Sequence, residues 1–245
     1  MSDFKKYLNV YEFEVVLPGC GQTVKFKPIT TGQLKILLVY ENETNEMIIE
    51  EALDSLISSS VISDGFDIKT LYLQDRFFLL IEIRKKTKGE LYKFSNRCDK
   101  CGSETLQNIN LNDLKVTHLN KDIDNNIKLT DNLSVKLNHI NRGGQIEAYK
   151  YFDGANMTPL QQITEMSLLT HAAGIKSIRT PESEDLDLSI NDKKYLLENI
   201  PTGLYEMIKD WYVNNNFGID FTFNISCHTC DNNEEVSIPL NNFFF

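Results

Sequence analysis

A chain of 245 residues with 25 Lys+Arg against 35 Asp+Glu carries a formal net charge of -10, and its 41% apolar content is that of a soluble protein able to bury a real core. The acidic balance argues against a protein whose main work is gripping nucleic acid or an anionic membrane through bulk charge. No run approaches the ~18 apolar residues of a membrane span, and residues 1–6 lack the apolar core of a signal peptide, so the expectation is a cytosolic, globular chain.

In chain order, Val15, Val16 and Leu17 followed by Val24 and Phe26 read as a hairpin, with Cys20 alone in the Pro18-Gly19-Cys20-Gly21 turn. Apolar recurrence predicts helices over 33–40, 46–58 and 71–84, with Asn45 and Thr70 at cap positions. Gly89 then opens a strand over 91–94. Cys98-Asp99-Lys100-Cys101 turns the chain, Gly102-Ser103 supply turn chemistry, and a return strand runs through Ile109 and Leu111. After a seam at 116–126 the order begins again. A hairpin through Ile127, Leu129, Val135 and Leu137 leads to a polar helix start at Arg142-Gly143-Gly144-Gln145, where two glycines read as a turn before a phosphate cradle. Thr158 caps a helix with Pro159 at its first position and Gly174 at its end. The acidic loop 180–187, with Glu182, Glu184, Asp185 and Asp187, reads as a solvated insertion. Helices over 191–199 and 203–213 follow, the latter presenting Leu204, Met207, Ile208 and Trp211 on one face. A strand over 221–225, the Cys227-His228-Thr229-Cys230 turn and a return strand through Val236, Ile238 and Leu240 close the order.

The two cysteine regions match without a gap. Gly218, Cys227, Cys230, Ile238 and Phe243 each lie 129 residues after Gly89, Cys98, Cys101, Ile109 and Leu114. The expected fold class is therefore α+β: a tandem-duplicated unit of β-hairpin, helices and cysteine-tipped β-hairpin, related by a pseudo-twofold axis. The first repeat covers 1–115, the linker 116–126 and the second repeat 127–245, all within one compact unit.

Two C-x-x-C pairs in a reducing compartment suggest a structural four-thiolate zinc site with Cys98, Cys101, Cys227 and Cys230 as ligands. Their separation far exceeds the ~15–20 residues of a compact zinc ribbon. They share an ion only if the repeat folds back and brings both hairpin tips together. A redox dithiol and inert buried cysteines stay open as alternatives. Arg97, Lys100 and His228 beside the thiols would offset part of the site's charge. His118, His139, His171 and His228 show no metal or triad spacing, and His139 reads as a partly buried structural residue. A closed thiolate site leaves no position for substrate water. No phosphate loop, nucleophile elbow or H-E-x-x-H helix occurs, so no catalytic residue is expected. Phe243 matches Leu114 and belongs in a core. Phe244 and Phe245 read either as an exposed contact surface or as docked on the chain's own helices.

The succession from Leu71-Tyr72-Leu73-Gln74-Asp75-Arg76-Phe77-Phe78 to Ile83-Arg84, then Lys88-Gly89-Glu90, Cys98-x-x-Cys101-Gly102 and Ile109-x-Leu111 resembles the baseplate hub and tail-assembly proteins of T-even-like contractile bacteriophages. The Phe-rich terminus is also similar. The resemblance implies a non-enzymatic hub subunit or hub-assembly factor that binds other phage tail or baseplate hub proteins, with Phe244 and Phe245 as candidate contacts. It would act in the host cytoplasm during assembly, with a place in the virion tail open. A zinc-ribbon adaptor for nucleic acid or transcription complexes is the alternative, which the charge of -10 disfavours, and a thiol oxidoreductase is a third reading.

Overall fold

The computed structural model describes residues 11–38, 45–238 and 243–244. The chain opens with the hairpin β1 (Phe13–Val16) and β2 (Thr23–Phe26), then α1 (Thr31–Leu38), α2 (Glu46–Ser60) and, after a 3-10 turn at Ile68–Thr70, α3 (Leu73–Lys88). The first cysteine hairpin is β3 (Leu91–Arg97) and β4 (Glu104–Asn110), followed by the short β5 (Val116–Thr117). A second hairpin, β6 (Asn126–Thr130) and β7 (Leu133–Leu137), leads into α4 (Arg142–Lys150) and α5 (Pro159–Gly174). Then come β8 (Ile175–Arg179), β9 (Glu184–Asp185), α6 (Ile190–Asn199) and α7 (Thr202–Asn214). The short β10 (Gly218–Ile219) precedes the second cysteine hairpin, β11 (Thr222–Ser226) and β12 (Asn233–Ser237). Mixed helices with small antiparallel sheets make this an α+β chain.

The described residues fall into two compact units. The first takes those within Met1–Phe66, Phe77–His118 and Gly218–Phe245, and the second those within Asp67–Arg76 and Leu119–Phe217. This division cuts across the sequence repeats 1–115 and 127–245. The second cysteine hairpin joins the first unit, where its tip meets the first hairpin, instead of staying with the helices that precede it. β5, drawn from the sequence as part of a linker, pairs with β10.

In the first unit, β2 pairs with the end of α2 through the Phe26↔Val61 bridge, and Lys27 N–H donates to Ser60 O at 2.9 Å. Ile29 N–H donates to the Thr87 hydroxyl of α3 at 3.0 Å. α3 buries Phe78, Leu79, Leu80, Ile81 and Ile83, more than one face of a surface helix, so it serves as the unit's central helix. Arg84, also buried, donates to the carbonyls of Gly89, Leu91 and Phe243, and its guanidinium lies 5.5 Å from the ring centres of Tyr92 and Phe243. Phe244 is buried beside Phe243, with ring centres 5.5 Å apart. Of the two readings of Phe244, this rules out the exposed contact and leaves packing within the chain. Phe245 and Leu240 lie outside the described residues, as does Tyr40 of the first expected helix.

In the second unit the antiparallel sheet β6-β7-β8-β9 shares a core with the helices through Leu129, Val135, Leu137, Leu169, Ala172, Ile175, Ile208 and Trp211. The Thr158 capping box, completed by Gln161, starts α5, and Gly174 ends it. Asn45 caps α2 by accepting from Met47 N–H. Thr70 caps nothing: it ends the 3-10 turn that Asp67 caps, and α3 begins three residues later. Met207 of α7 is exposed, so the buried face is Ile208 and Trp211 with Leu204 beside them. Glu184 and Asp185 are exposed as expected, but they pair with β8 as β9 and are not loop residues. Gly143 and Gly144 serve close packing: a Cβ at Gly143 would stand 3.1 Å from Lys69 O, and the neighbouring Arg142 is buried. Among the described residues no helix is long and apolar enough to cross a membrane.

Candidate metal centre

The two cysteine hairpins are built alike. β3 and β4 pair from Leu91↔Asn110 to Arg97↔Glu104, and β11 and β12 from Thr222↔Ser237 to Ser226↔Asn233. Adding 129 to both members of Lys93↔Asn108 or Arg97↔Glu104 reproduces a pair of the second hairpin, so the register is shared. The two-residue alternation of a strand puts Tyr92, Phe94 and Cys98 on one face, and Ile225 and Cys227 on the matching face of the second hairpin. At the first tip Cys98 N–H donates to Ser103 O and Gly102 N–H to Cys98 O, both at 2.9 Å. At the second tip Cys227 N–H donates to Asn232 O at 2.8 Å and Asp231 N–H to Cys227 O at 2.9 Å. Closing each tip this way needs a left-handed residue, supplied by Gly102 at φ 71° and by Asp231 at φ 53°.

These turns bring the four sulfurs together. The Sγ atoms of Cys98, Cys101, Cys227 and Cys230 all lie within 4.8 Å of one another, the one such cluster among the described residues. Cys98 Sγ is 3.8 Å from Cys230 Sγ, and Cys101 Sγ is 3.6 Å from Cys227 Sγ. A disulfide would need ~2.05 Å, and all four thiols are free. A tetrahedron of sulfurs at ~2.3 Å from a zinc ion has edges of about 3.8 Å, so the spacing fits that ion. Both of these pairs cross from one hairpin to the other. Cys20 is exposed and outside the cluster.

Polar groups that the sequence reading passed over surround the sulfurs. The Ser103 hydroxyl lies 3.0 Å from Cys101 Sγ and 3.3 Å from Cys227 Sγ, bridging the hairpins. Asn232, its counterpart 129 residues on, points Nδ2 at Cys98 Sγ from 4.0 Å. Thr229 N–H donates to Cys227 Sγ at 3.4 Å. Glu234 reaches across to Asn96 and Asp99. The signal for Ser103 and Asn232 was present in the sequence: both are polar and stand two residues past the second cysteine of their pair. Arg97 lies over Gly102, where a Cβ would meet its Nη2 at 3.7 Å, and His228 is exposed.

The thiols compete for charge. The Ser103 hydroxyl, aided by the Thr229 amide, draws the Cys227 thiol down to about 6, and Ser103 lowers Cys101 as well. The Asn232 amide favours a thiolate at Cys230, but burial and the sulfurs of Cys101, Cys227 and Cys98 outweigh it and push that thiol up to about 12. Four sulfurs this close cannot all ionise without a cation among them. A dication removes that conflict, and metal binding then releases protons.

His118 is exposed, and the other two histidines are structural in setting. His139 is buried among Trp211, Phe217 and Tyr72, with ring centres 4.9–5.9 Å away, and burial lowers its pKa to about 4. His171 Nδ1 meets the Tyr205 hydroxyl at 2.8 Å, and burial lowers its pKa.

Residues 9–245 match the family described as T4 bacteriophage base plate protein. The chain belongs to that family. No curated protein and no solved structure gives a match. Membership extends the resemblance read at 71–114 over almost the whole length, both cysteine hairpins included, and makes the chain a phage baseplate protein with four clustered cysteines able to hold a metal ion.

Proposed function

We propose that this baseplate protein is a non-enzymatic hub subunit or hub-assembly factor, acting through contacts with other tail proteins and held together by one structural zinc ion on Cys98, Cys101, Cys227 and Cys230. The observation that carries the metal half is the cross-hairpin sulfur cluster at tetrahedral edge lengths. Family membership carries the baseplate half. Four thiolates around a dication leave no open coordination position, so the ion's role is to join hairpins and not to activate substrate. The equal register of the hairpins at an offset of 129 supports an origin by tandem duplication, with each copy giving two ligands.

The test has two arms. Mass spectrometry of the purified chain should find a single zinc ion per chain; a metal-free preparation with all thiols reduced and folded rejects the centre. Deleting the gene should give abortive tails, and the protein should co-sediment with hub components during assembly; infectious particles at normal yield reject the hub role.

A further inference from the structure

The hairpins are alike in register and tip, but one tie between them has no mirror image. Glu234 of β12 extends its carboxylate to the first hairpin. Oε1 accepts from Asn96 Nδ2 at 2.6 Å, and Oε2 accepts from the Asp99 backbone N–H at 3.1 Å. Asn232 Nδ2, on its own hairpin, donates to Oε2 at 3.4 Å. Asn96 stands two residues before Cys98 and Asp99 one residue after it, so the carboxylate brackets a ligand of the opposite tip. The position 129 residues before Glu234 is Thr105. Its hydroxyl donates to Asn96 O at 3.4 Å and accepts from Gln107 Nε2 at 3.0 Å, so these bonds stay in its own hairpin.

We infer that Glu234 is a positioning residue for the metal centre: it fixes the Cys98 turn against the second hairpin, so that four sulfurs are already gathered when the ion arrives. The inference rests on the four-thiolate reading above and adds what aligns the ligands. Joining two tips is the costly part of such a site, because the ligands come from segments more than a hundred residues apart and each tip must lose its freedom. Hydrogen bonds that pre-set ligand orientation are worth about 10–100-fold in metal affinity. A carboxylate is suited to the task, since charge-assisted bonds to a backbone amide and a side-chain amide hold direction better than neutral ones. Its charge alone would not predict the same outcome: near thiolates it opposes ionisation, while toward the dication it attracts.

The experiment loads the full-length, reduced, metal-free chain with cobalt(II) and competes it with a chromogenic chelator. Wild type is expected to take up a single cobalt ion with the visible absorption of a tetrahedral thiolate site. Glu234→Ala should weaken binding by about 10–100-fold with that absorption band unchanged, because the ligands themselves remain. Glu234→Gln keeps the length and one acceptor oxygen but turns a donor toward the other partner, so its affinity should fall between those of wild type and Glu234→Ala. Asn96→Ala removes a partner from the other side and should weaken binding in the same direction, which keeps the test alive if Glu234→Ala does not fold. Wild-type affinity in Glu234→Ala or in Asn96→Ala overturns the inference. A wild-type chain that takes up no cobalt removes the four-thiolate reading, and this inference goes with it.

Discussion

Set side by side, the hairpin β3–β4 and the hairpin β11–β12 agree in pairing register, in the two tip hydrogen bonds and in the left-handed residue that closes each tip. They differ in almost everything around that frame. Ser103 stands against Asn232, Gly102 against Asp231, Thr105 against Glu234, and buried Arg84 against exposed Val213. What agrees is what a four-thiolate centre requires: two sulfurs per tip, each tip bent the same way. What differs is how each tip is held against its surroundings, and that is where the halves take unequal work. The first hairpin is anchored from below by Arg84 and from across by Glu234. The second supplies the carboxylate and receives the Ser103 hydroxyl.

The strongest challenge to this equivalence is ligand removal. Cys98→Ser and Cys227→Ser should each abolish stable zinc binding and destabilise the first unit by at least about 4–5 kcal/mol, as loss of a structural metal does. Metal content and thermal unfolding of the two variants check this. Zinc retained in one of them would mean separate sites. Next in size is Arg84→Met, which strips donors from the carbonyls of Gly89, Leu91 and Phe243 and should cost about 3 kcal/mol in urea unfolding. Val213→Ala, at the matching position, should stay within about 0.5 kcal/mol.

The comparison also sharpens further upstream, where His139 stands two residues past β7 and Pro28 two residues past β2. A histidine with a folded-state pKa of about 4, against ~6.5 when unfolded, binds its proton more readily in the unfolded chain. Stability is therefore full above about pH 6.5 and falls as pH drops toward 4, by about 3 kcal/mol for this residue. His139→Phe should flatten that slope in urea titrations from pH 7 to pH 4, while an unchanged slope would assign the acid sensitivity elsewhere. Smaller effects than that of His139 are expected at the tips. Gly102→Ala forces a Cβ into left-handed backbone and should cost about 1–2 kcal/mol, whereas Asp231→Gly relieves that strain and should gain several tenths. Equal signs for the two would show that the tips are not equivalent.

Much of this was legible in the sequence because the signals are local. The cysteine spacing, the shared offset of 129, the Thr158-Pro159 start and the Asn45 cap each depend on a few neighbouring residues, and helices and hairpins appear where those residues put them. The expected start at Thr70 fails because Asp67 makes a better-placed acceptor and uses the turn first. The strand β8 escaped notice because it leaves α5 without a loop and because a serine, Ser177, fills its second buried position, so Ile175 has no apolar partner two residues on. Met207 looked buried on spacing alone, yet a helix packed along a narrow stripe leaves its edge positions to solvent. Phe244 stayed open between contact surface and docked residue because no repeat partner explained it. Its burial beside Phe243 depends on contacts distant in sequence, and Glu234 is invisible for the same reason.

The centre draws its sulfurs from residues 98 to 230, and that ordering has a consequence during synthesis. At about 5–20 residues per second, a ribosome needs roughly 6–25 s to travel from the first pair of thiols to the second. Through that interval the nascent chain carries half a chelator, open to stray metal or mispairing, while the whole intervening segment is being made. A message cut short before codon 227 would yield a polypeptide with only two of the four clustered sulfurs, so a filled four-cysteine site would report that translation had passed codon 230.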